Sequence, residues 1–320
     1  MVEVLKPFSV IEARDLESCS LREAMDEQGY VLVRGVLPVE ETDRLLQEML
    51  SVVSAAGWLL PGHDPLARMA DGSKACGDSD PEFKSTYQRI FSLESFHRFA
   101  HHPLLQRVMR QLAGERLLVH PKPIGRLIFP NCERLVVHAH QDHQSVAGDA
   151  ESFTAWIPLH DCPEELGPLQ ILEGSHRFGL QVSDAQTGFL SSETALGKEW
   201  VGGDLKAGDV LIFHSLTVHA ATPNVSNQLR VSIDCRFQDY GRALNPALLV
   251  FPGGNSNGRT WESTYANWES DELKYYWTRL PLRLQPSKAE LAELARTDNS
   301  SAMRARYERV LRQIEVQMPD

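Results

Sequence analysis

The chain has 320 residues, 42% of them hydrophobic and 23% charged, the balance of a soluble globular protein, which excludes a disordered, collagenous or disulfide-scaffold chain. Its 32 Lys and Arg against 43 Asp and Glu give a formal net charge of −11, which repels a phosphate backbone and argues against nucleic acid as a partner. No apolar run reaches the ~18 residues of a membrane span, and the N-terminal stretch mixes both charge signs without the apolar core of a secretory signal.

A cytoplasmic protein with no membrane partner is therefore expected. The five Cys are scattered without CxxC spacing, so they read as reduced thiols and not as disulfides or metal ligands. In chain order, residues 20–28 predict a short amphipathic helix stopped by Gly29, followed by the β-branched run YVLVRGVL as a strand. Pro38 opens a second helix, with acidic residues in its first turn, Leu45, Leu46, Met49, Leu50, Val52 and Val53 at helical spacing, and Gly57 as its stop. Residues 57–82 are rich in Gly, Pro, Asp and Ser and read as a covering loop. A third helical region is expected over about 93–114. From Leu117 to about Gln238, short apolar runs separated by Pro, Gly, Asn and Asp predict a sandwich or barrel. An aromatic segment follows, and Ser287 with Glu290 forms a capping box that starts a closing helix.

Of the twelve His, seven (His138, His140, His143, His160, His176, His214 and His219) fall in the β-rich stretch. Read as a strand, RLVVHAHQD puts His138, His140 and Asp142 on one face, so a His and an Asp can converge on one ion. His-x-Asp alone is a weak signal that a bland surface or core reading also explains. The segment GDVLIFHSLTVHAATPNVSNQLRVSIDC reads as strand, turn, strand, and a symmetric hairpin about Asn224 and Val225 would set His219 opposite Arg230. A metal-binding imidazole beside a planar, always-charged guanidinium suits a dicarboxylate that chelates the metal at one end. Two His and one carboxylate on one side of an ion, with open positions opposite, is the arrangement of non-haem Fe(II) oxygenases.

The run His140-Gln141-Asp142, then Thr154-Ala155-Trp156-Ile157-Pro158-Leu159-His160-Asp161, Gly167-Pro168-Leu169, Gly174-Ser175-His176, and His219 with Arg230 eleven residues on, resembles the phytanoyl-CoA dioxygenase family of Fe(II)/2-oxoglutarate oxygenases. The resemblance covers about residues 20–240, with the motifs in the family's order. It implies a mainly β fold: a double-stranded β-helix (jelly roll, cupin-like) core with flanking N- and C-terminal α-helices. It implies one catalytic domain over 1–320, with N-terminal helices and first strands in 20–116, the jelly-roll core and metal site in 117–240, and the aromatic-rich segment and C-terminal helix in 241–320. By the same resemblance His140, Asp142 and His219 are the iron ligands, Arg230 meets the far carboxylate of 2-oxoglutarate, and Trp156 lies near that cosubstrate. Many members carry a Ser two residues after the distal His; here it is Ala221, which leaves Thr222 or Ser232 to supply the hydroxyl, or no residue at all.

The expected activity is that of a dioxygenase consuming O2 and 2-oxoglutarate, with hydroxylation of a small organic metabolite as the outcome. Related halogenases replace the Asp with a small residue; Asp142 occupies that place. Desaturation, epoxidation and ring formation use the same oxidant and stay open. A coenzyme A ester suits a chain of net charge −11 less well than a small metabolite does. His143 and Gln144, directly after the motif, are candidate substrate contacts, and equally loop residues. His138 reads as a hydrogen-bonded neighbour, His214 as a packing residue of opposite parity, His176 as structural, and Arg304, Arg306, Arg309 and Arg312 as a solvated face. Two other classes compete: a cupin-like divalent-metal isomerase or lyase without 2-oxoglutarate, which would want a Glu soon after His138-Ala139-His140, and a non-catalytic jelly-roll binding protein. The sequence does not address oligomeric state.

Overall fold

The computed structural model describes residues 5–184, 187–190, 199–251 and 259–318. Two sheets face each other. The larger joins β2 (Val10–Glu12), β3 (Tyr30–Arg34), β9 (Val210–His214), β6 (Ser152–Pro158), β11 (Arg230–Asp239) and β4 (Leu117–Val119), with β5 (Ile124–Ile128) also paired to β11. The smaller joins β1 (Lys6–Pro7), β8 (Trp200–Gly202), β7 (Leu169–Leu172) and β10 (His219–Ala221). From β6 on the chain passes repeatedly between the sheets, at β6 to β7, β8 to β9, β9 to β10 and β10 to β11, and it forms a jelly roll flanked by helices.

Each strand of the large sheet has two different faces because side chains alternate. On β11, Val231, Ile233, Cys235 and Phe237 belong to the outer core with the helices, whereas Arg230, Ser232, Asp234 and Arg236 point between the sheets. The inner apolar cluster holds Tyr30, Leu32, Trp156, Leu169, Ile171, Leu211, Phe213 and Ala221. The outer core is covered by α1 (Leu21–Gln28), α2 (Val39–Ala55), α3 (Pro81–Phe91), α4 (Glu94–Ala100) and α5 (Pro103–Ala113). α2 buries the apolar face read from the sequence, Leu45 to Val53. α1 is capped by the Ser20 hydroxyl, which accepts from Glu23 N, and ends at Gly29 with φ 78°. Only glycine fits Gly29, since a Cβ there would sit 2.4 Å from His176 Nδ1.

Three expectations change. The helical region near 93–114 is two helices, α4 and α5, because Pro103 cannot continue a helix and starts a new one with His102 as its cap. The predicted loop 57–82 holds two short 3-10 turns, and its end already belongs to α3. It packs on residues 227–229, where Ala70 N donates to Asn227 O and Leu229 N to Arg68 O, so it covers the end of the roll that carries Arg230. The closing helix is a hairpin of two, Lys288–Thr297 and Ser301–Gln317, with the capping box at Ser287 in place. Among the described residues no helix is long and apolar enough to cross a membrane.

Several histidines away from the metal motif are buried neutral. Burial lowers His97, His101 and His160 to about 4 and His120 to about 3. His160 shows how: its Nδ1 donates to Asp161 O and its Nε2 accepts from Val231 N, extending the β6–β11 pairing past Pro158. An unfolded chain protonates these rings near pH ~6.5, while the folded one does not. Stability is therefore full above pH ~6.5 and falls as pH drops toward 4, by up to about 1.4 kcal/mol per pH unit per ring. Urea midpoints measured from pH 7 to 4.5 should decline steadily, and less steeply in His120→Gln; a midpoint independent of pH would contradict this.

Candidate metal centre

His140 and His219 are held together by the backbone. His140 N donates to His219 O at 3.0 Å and His219 N to His140 O at 3.1 Å, a single antiparallel bridge that puts the two residues directly opposite, with side chains on one side. Their ring centroids are 4.2 Å apart. This corrects two sequence expectations. The segment before Asp142 is not a strand: residues 133–135 form a 3-10 turn and His140 makes only an isolated bridge. His219 also does not face Arg230 in a hairpin. It pairs with Ile171 of β7 in the small sheet, while Arg230 pairs with Ile128 of β5 in the large one. The turn read as tight is a crossing between sheets, pinned by the buried Asn224, whose side chain donates to Ile128 O and Gln228 O.

Beyond His140 the chain turns into the one-turn helix α6 (His143–Val146), with Asp142 already at φ −59°, ψ −30°. Gln141 fixes that bend: its amide donates to Gly179 O and Leu216 O, and its oxygen accepts from Gln181 N. One ligand atom each from His140, Asp142 and His219 lie within 4.8 Å of one another. His138 is exposed, and its contribution is its carbonyl.

The protonation states suit a cation. His140 Nδ1 lies 2.8 Å from His138 O and His219 Nδ1 3.0 Å from Thr217 O; a carbonyl only accepts, so each Nδ1 carries the proton and each Nε2 keeps its lone pair. Burial, then the neighbouring His140, lowers His219 to about 3, and burial lowers His140 also. Asp142 is buried, which alone would raise its pKa, yet Arg236, the two His and Thr154 hold it well below the usual carboxylate range. Thr154 Oγ1 donates to its Oδ2 at 2.5 Å, and Arg236 donates from Nε to Oδ2 at 3.3 Å and from Nη2 to Oδ1 at 3.0 Å. Both lone pairs of Oδ2 are thus used, and Oδ1 keeps one for an ion.

Arg230 is fully buried on the inner face of β11, 5.9 Å over the Trp156 ring, with one Nη donating to Gly167 O. Gly167, at φ 73°, admits no side chain, since its Cβ would meet Thr222 O at 2.4 Å. Arg230 Nε, Trp156 Nε1, Ser232 Oγ and Asp234 Oδ1 are buried without a hydrogen-bond partner among the described residues. Orphaned buried polar atoms each cost ~1–3 kcal/mol, so four of them on adjoining inner positions of β6 and β11 fit a polar ligand. Thr222 Oγ1, by contrast, is engaged with Pro168 O at 3.2 Å. His143 and Gln144 are half-buried in α6; the groups that perturb His143 are its own burial, His214 and Asp149, and neither residue belongs to the triad's donor cluster.

Sequence reasoning missed Thr154, Arg236 and Arg126. Arg126 donates from Nε to Asp234 Oδ2 at 2.8 Å across the β5–β11 pair. Their signal is period two: Arg230, Ser232, Asp234 and Arg236 alternate with Val, Ile, Cys and Phe.

A family model described as phytanoyl-CoA dioxygenase matches residues 25–232, more than half of the chain. A 1-deoxypentalenic acid 11-beta-hydroxylase from Streptomyces arenae is 27% identical over 255 residues, covering 72% of this chain and 86% of the relative. Among solved structures, the epimerase SnoN in complex with Fe3+, alpha-ketoglutarate and nogalamycin RO aligns at 24% identity and TM-score 0.55, over 76% of this chain and 92% of that one. The alpha-ketoglutarate-dependent carbocyclase SnoK aligns at 23% identity and TM-score 0.51, over 74% and 89%. The two structures share the fold.

Removing one donor to Asp142 tests the arrangement. Thr154→Val, which keeps the shape and deletes the hydroxyl, is expected to weaken divalent-metal binding about tenfold, read by Co(II) titration, with an unchanged circular dichroism spectrum. Unchanged affinity would show that Thr154 does not orient the carboxylate.

Proposed function

Because the chain belongs to the phytanoyl-CoA dioxygenase family, we propose that it is a 2-oxoglutarate-dependent non-haem iron oxygenase that hydroxylates a C–H bond of a small organic metabolite. His140, Asp142 and His219, whose ligand atoms cluster within 4.8 Å, would hold the iron, two His and one carboxylate being the donor set of such oxygenases. With O2 and 2-oxoglutarate the bound iron supplies a C–H oxidant, and the overall balance is substrate, 2-oxoglutarate and O2 to hydroxylated substrate, succinate and CO2.

The chain's own residues bind, orient and shield. The observation that carries the cosubstrate assignment is the orphaned set at Arg230, Ser232 and Trp156: a buried guanidinium with no carboxylate partner needs an anion. Ser232, two residues from Arg230 on the same strand face, replaces the hydroxyl missing at Ala221, because Thr222 is committed to Pro168 O. Trp156 packs against the guanidinium, and Phe213, 4.3 Å from the His219 ring by centroids, puts an apolar face beside that imidazole and would limit water there. Asp142 keeps the position that a halide would need. The named activity of the 27% identical relative favours hydroxylation over the epimerase and carbocyclase activities named for two structures of the same fold.

Anaerobic addition of Fe(II) and 2-oxoglutarate to the apoprotein should give a weak visible charge-transfer band, and air should then yield succinate; absence of both would refute the oxygenase reading. Arg230→Met should raise the KM for 2-oxoglutarate at least about tenfold, roughly 1.4 kcal/mol, and Ser232→Ala several-fold. A normal KM in both would leave the cosubstrate elsewhere.

A further inference from the structure

Phe189 stands beside the triad: its ring centroid is 6.0 Å from that of His140 and 5.3 Å from that of His138, edge-on to both. The backbone fixes which face it occupies. Leu190 N donates to Ala139 O at 2.7 Å, and the Leu190 side chain is buried with Leu172 and Val218, against Ala139. These side chains lie on the side of the small sheet away from the inner cluster of Leu169, Ile171 and Ala221. Alternation then puts His138, His140, His219 and Phe189 together on the inner side, as the ring contacts agree.

The turn that carries Phe189 hangs on the ligand motif at both flanks. Gln181 N donates to Gln141 Oε1 at 2.7 Å on one flank, and Leu190 to Ala139 on the other. Asp184 N donates to Phe189 O at 2.9 Å and Gly188 N to Asp184 O at 2.8 Å, while Phe189 N donates to Thr187 Oγ1 at 3.3 Å. Gly188 supplies a left-handed φ of 72°, and a Cβ there would lie 3.7 Å from Gln144 Oε1, so the turn also abuts α6.

The two phenylalanines next to the paired histidines differ in one respect. Phe213 is 1% exposed and locked into the inner cluster. Phe189 is half-buried, and among the described residues it belongs to none of the apolar clusters. A ring held on the metal-facing side without an apolar partner gains burial only from a molecule that lies against it.

We propose that Phe189 is a specificity-determining residue: it walls the substrate side of the metal centre, and the substrate packs an apolar alicyclic or aromatic skeleton against its ring. This rests on the oxygenase reading and narrows its substrate class.

The test is nuclear magnetic resonance on the full chain loaded with Mn(II) and 2-oxoglutarate, with cyclohexanol and myo-inositol as probes. Bound Mn(II) speeds the relaxation of nearby protons, so each probe reports its own proximity to the metal. Cyclohexanol should relax at least about threefold faster than inositol, and Zn(II) in place of Mn(II) should abolish the difference. Phe189→Ser should cut the cyclohexanol effect at least about threefold, whereas Phe189→Leu, which keeps an apolar surface, should retain most of it. In the wild-type chain labelled with 4-fluorophenylalanine, the Phe189 fluorine signal, identified by its loss in Phe189→Leu, should broaden when Co(II) replaces Zn(II). That signal keeps the test open if Phe189→Ser fails to fold. Equal relaxation of the two probes, an unchanged cyclohexanol effect in Phe189→Ser, or a Phe189 signal indifferent to Co(II) would each overturn the proposal. A selective probe effect with no charge-transfer band on adding Fe(II) would instead remove the oxygenase reading and leave the apolar site standing; a normal band without probe selectivity would do the reverse.

Discussion

Two backbone hydrogen bonds, the reciprocal pair between His140 and His219, decide where the candidate metal site lies. They join an otherwise irregular segment to the edge of the small sheet, and a pair that exchanges both bonds places its side chains together on one side. The rings then need no long-range positioning of their own. Each is set by a hydrogen bond to the carbonyl two residues earlier, His138 O and Thr217 O, so backbone geometry fixes both the position and the tautomer. The bridge itself is short, and the three hydrogen bonds of the Gln141 amide keep the segment from peeling away from it.

The third candidate ligand, Asp142, depends on a strand with two incompatible faces. One side of β11 buries Val231, Ile233, Cys235 and Phe237 under the helices, which fixes the register against β4, β5 and β6 because a slip of one residue would invert every side chain. That apolar register aims Arg236 at Asp142 and Asp234 at Arg126. A buried carboxylate is tolerable only with its charge matched and its lone pairs satisfied. Asp142 meets both conditions and retains one lone pair, whereas the Arg230 end of the same strand is left with orphaned atoms. The contrast between the completed environment of Asp142 and an incomplete neighbour a few residues along is the one the proposed function requires, a resident ion at the first and an exchanging cosubstrate at the second.

The clustering of His140, Asp142 and His219 was legible in the sequence through residue type and family pattern, but not through the local geometry first assigned to it. Strand parity grouped His138 with His140 and Asp142; in the structure His138 is exposed and Asp142 has helical angles. The hairpin between His219 and Arg230 failed for a related reason. Short-range pattern favours pairing neighbouring strands, whereas a jelly roll sends them to opposite sheets, and nothing within twelve residues encodes that choice. Helix breaks at Pro103 and around Asp298 were missed at points where apolar periodicity runs on across them. Thr154 and Arg236 were readable in principle from the two-residue alternation, but only once β6 and β11 are known to be adjacent.

Net charge is similarly non-local. Forty-three acids outnumber 32 basic side chains, yet Arg126, Arg236, Lys122 and Arg230 all lie inside or bordering the roll. Surface carboxylates are screened within about 8–10 Å at ordinary ionic strength, while charges in the interior act through a lower dielectric and are felt more strongly at the same distance. An acidic exterior and a cationic interior therefore do different work: the first discourages polyanions at a distance, and the second acts on groups that have entered the roll.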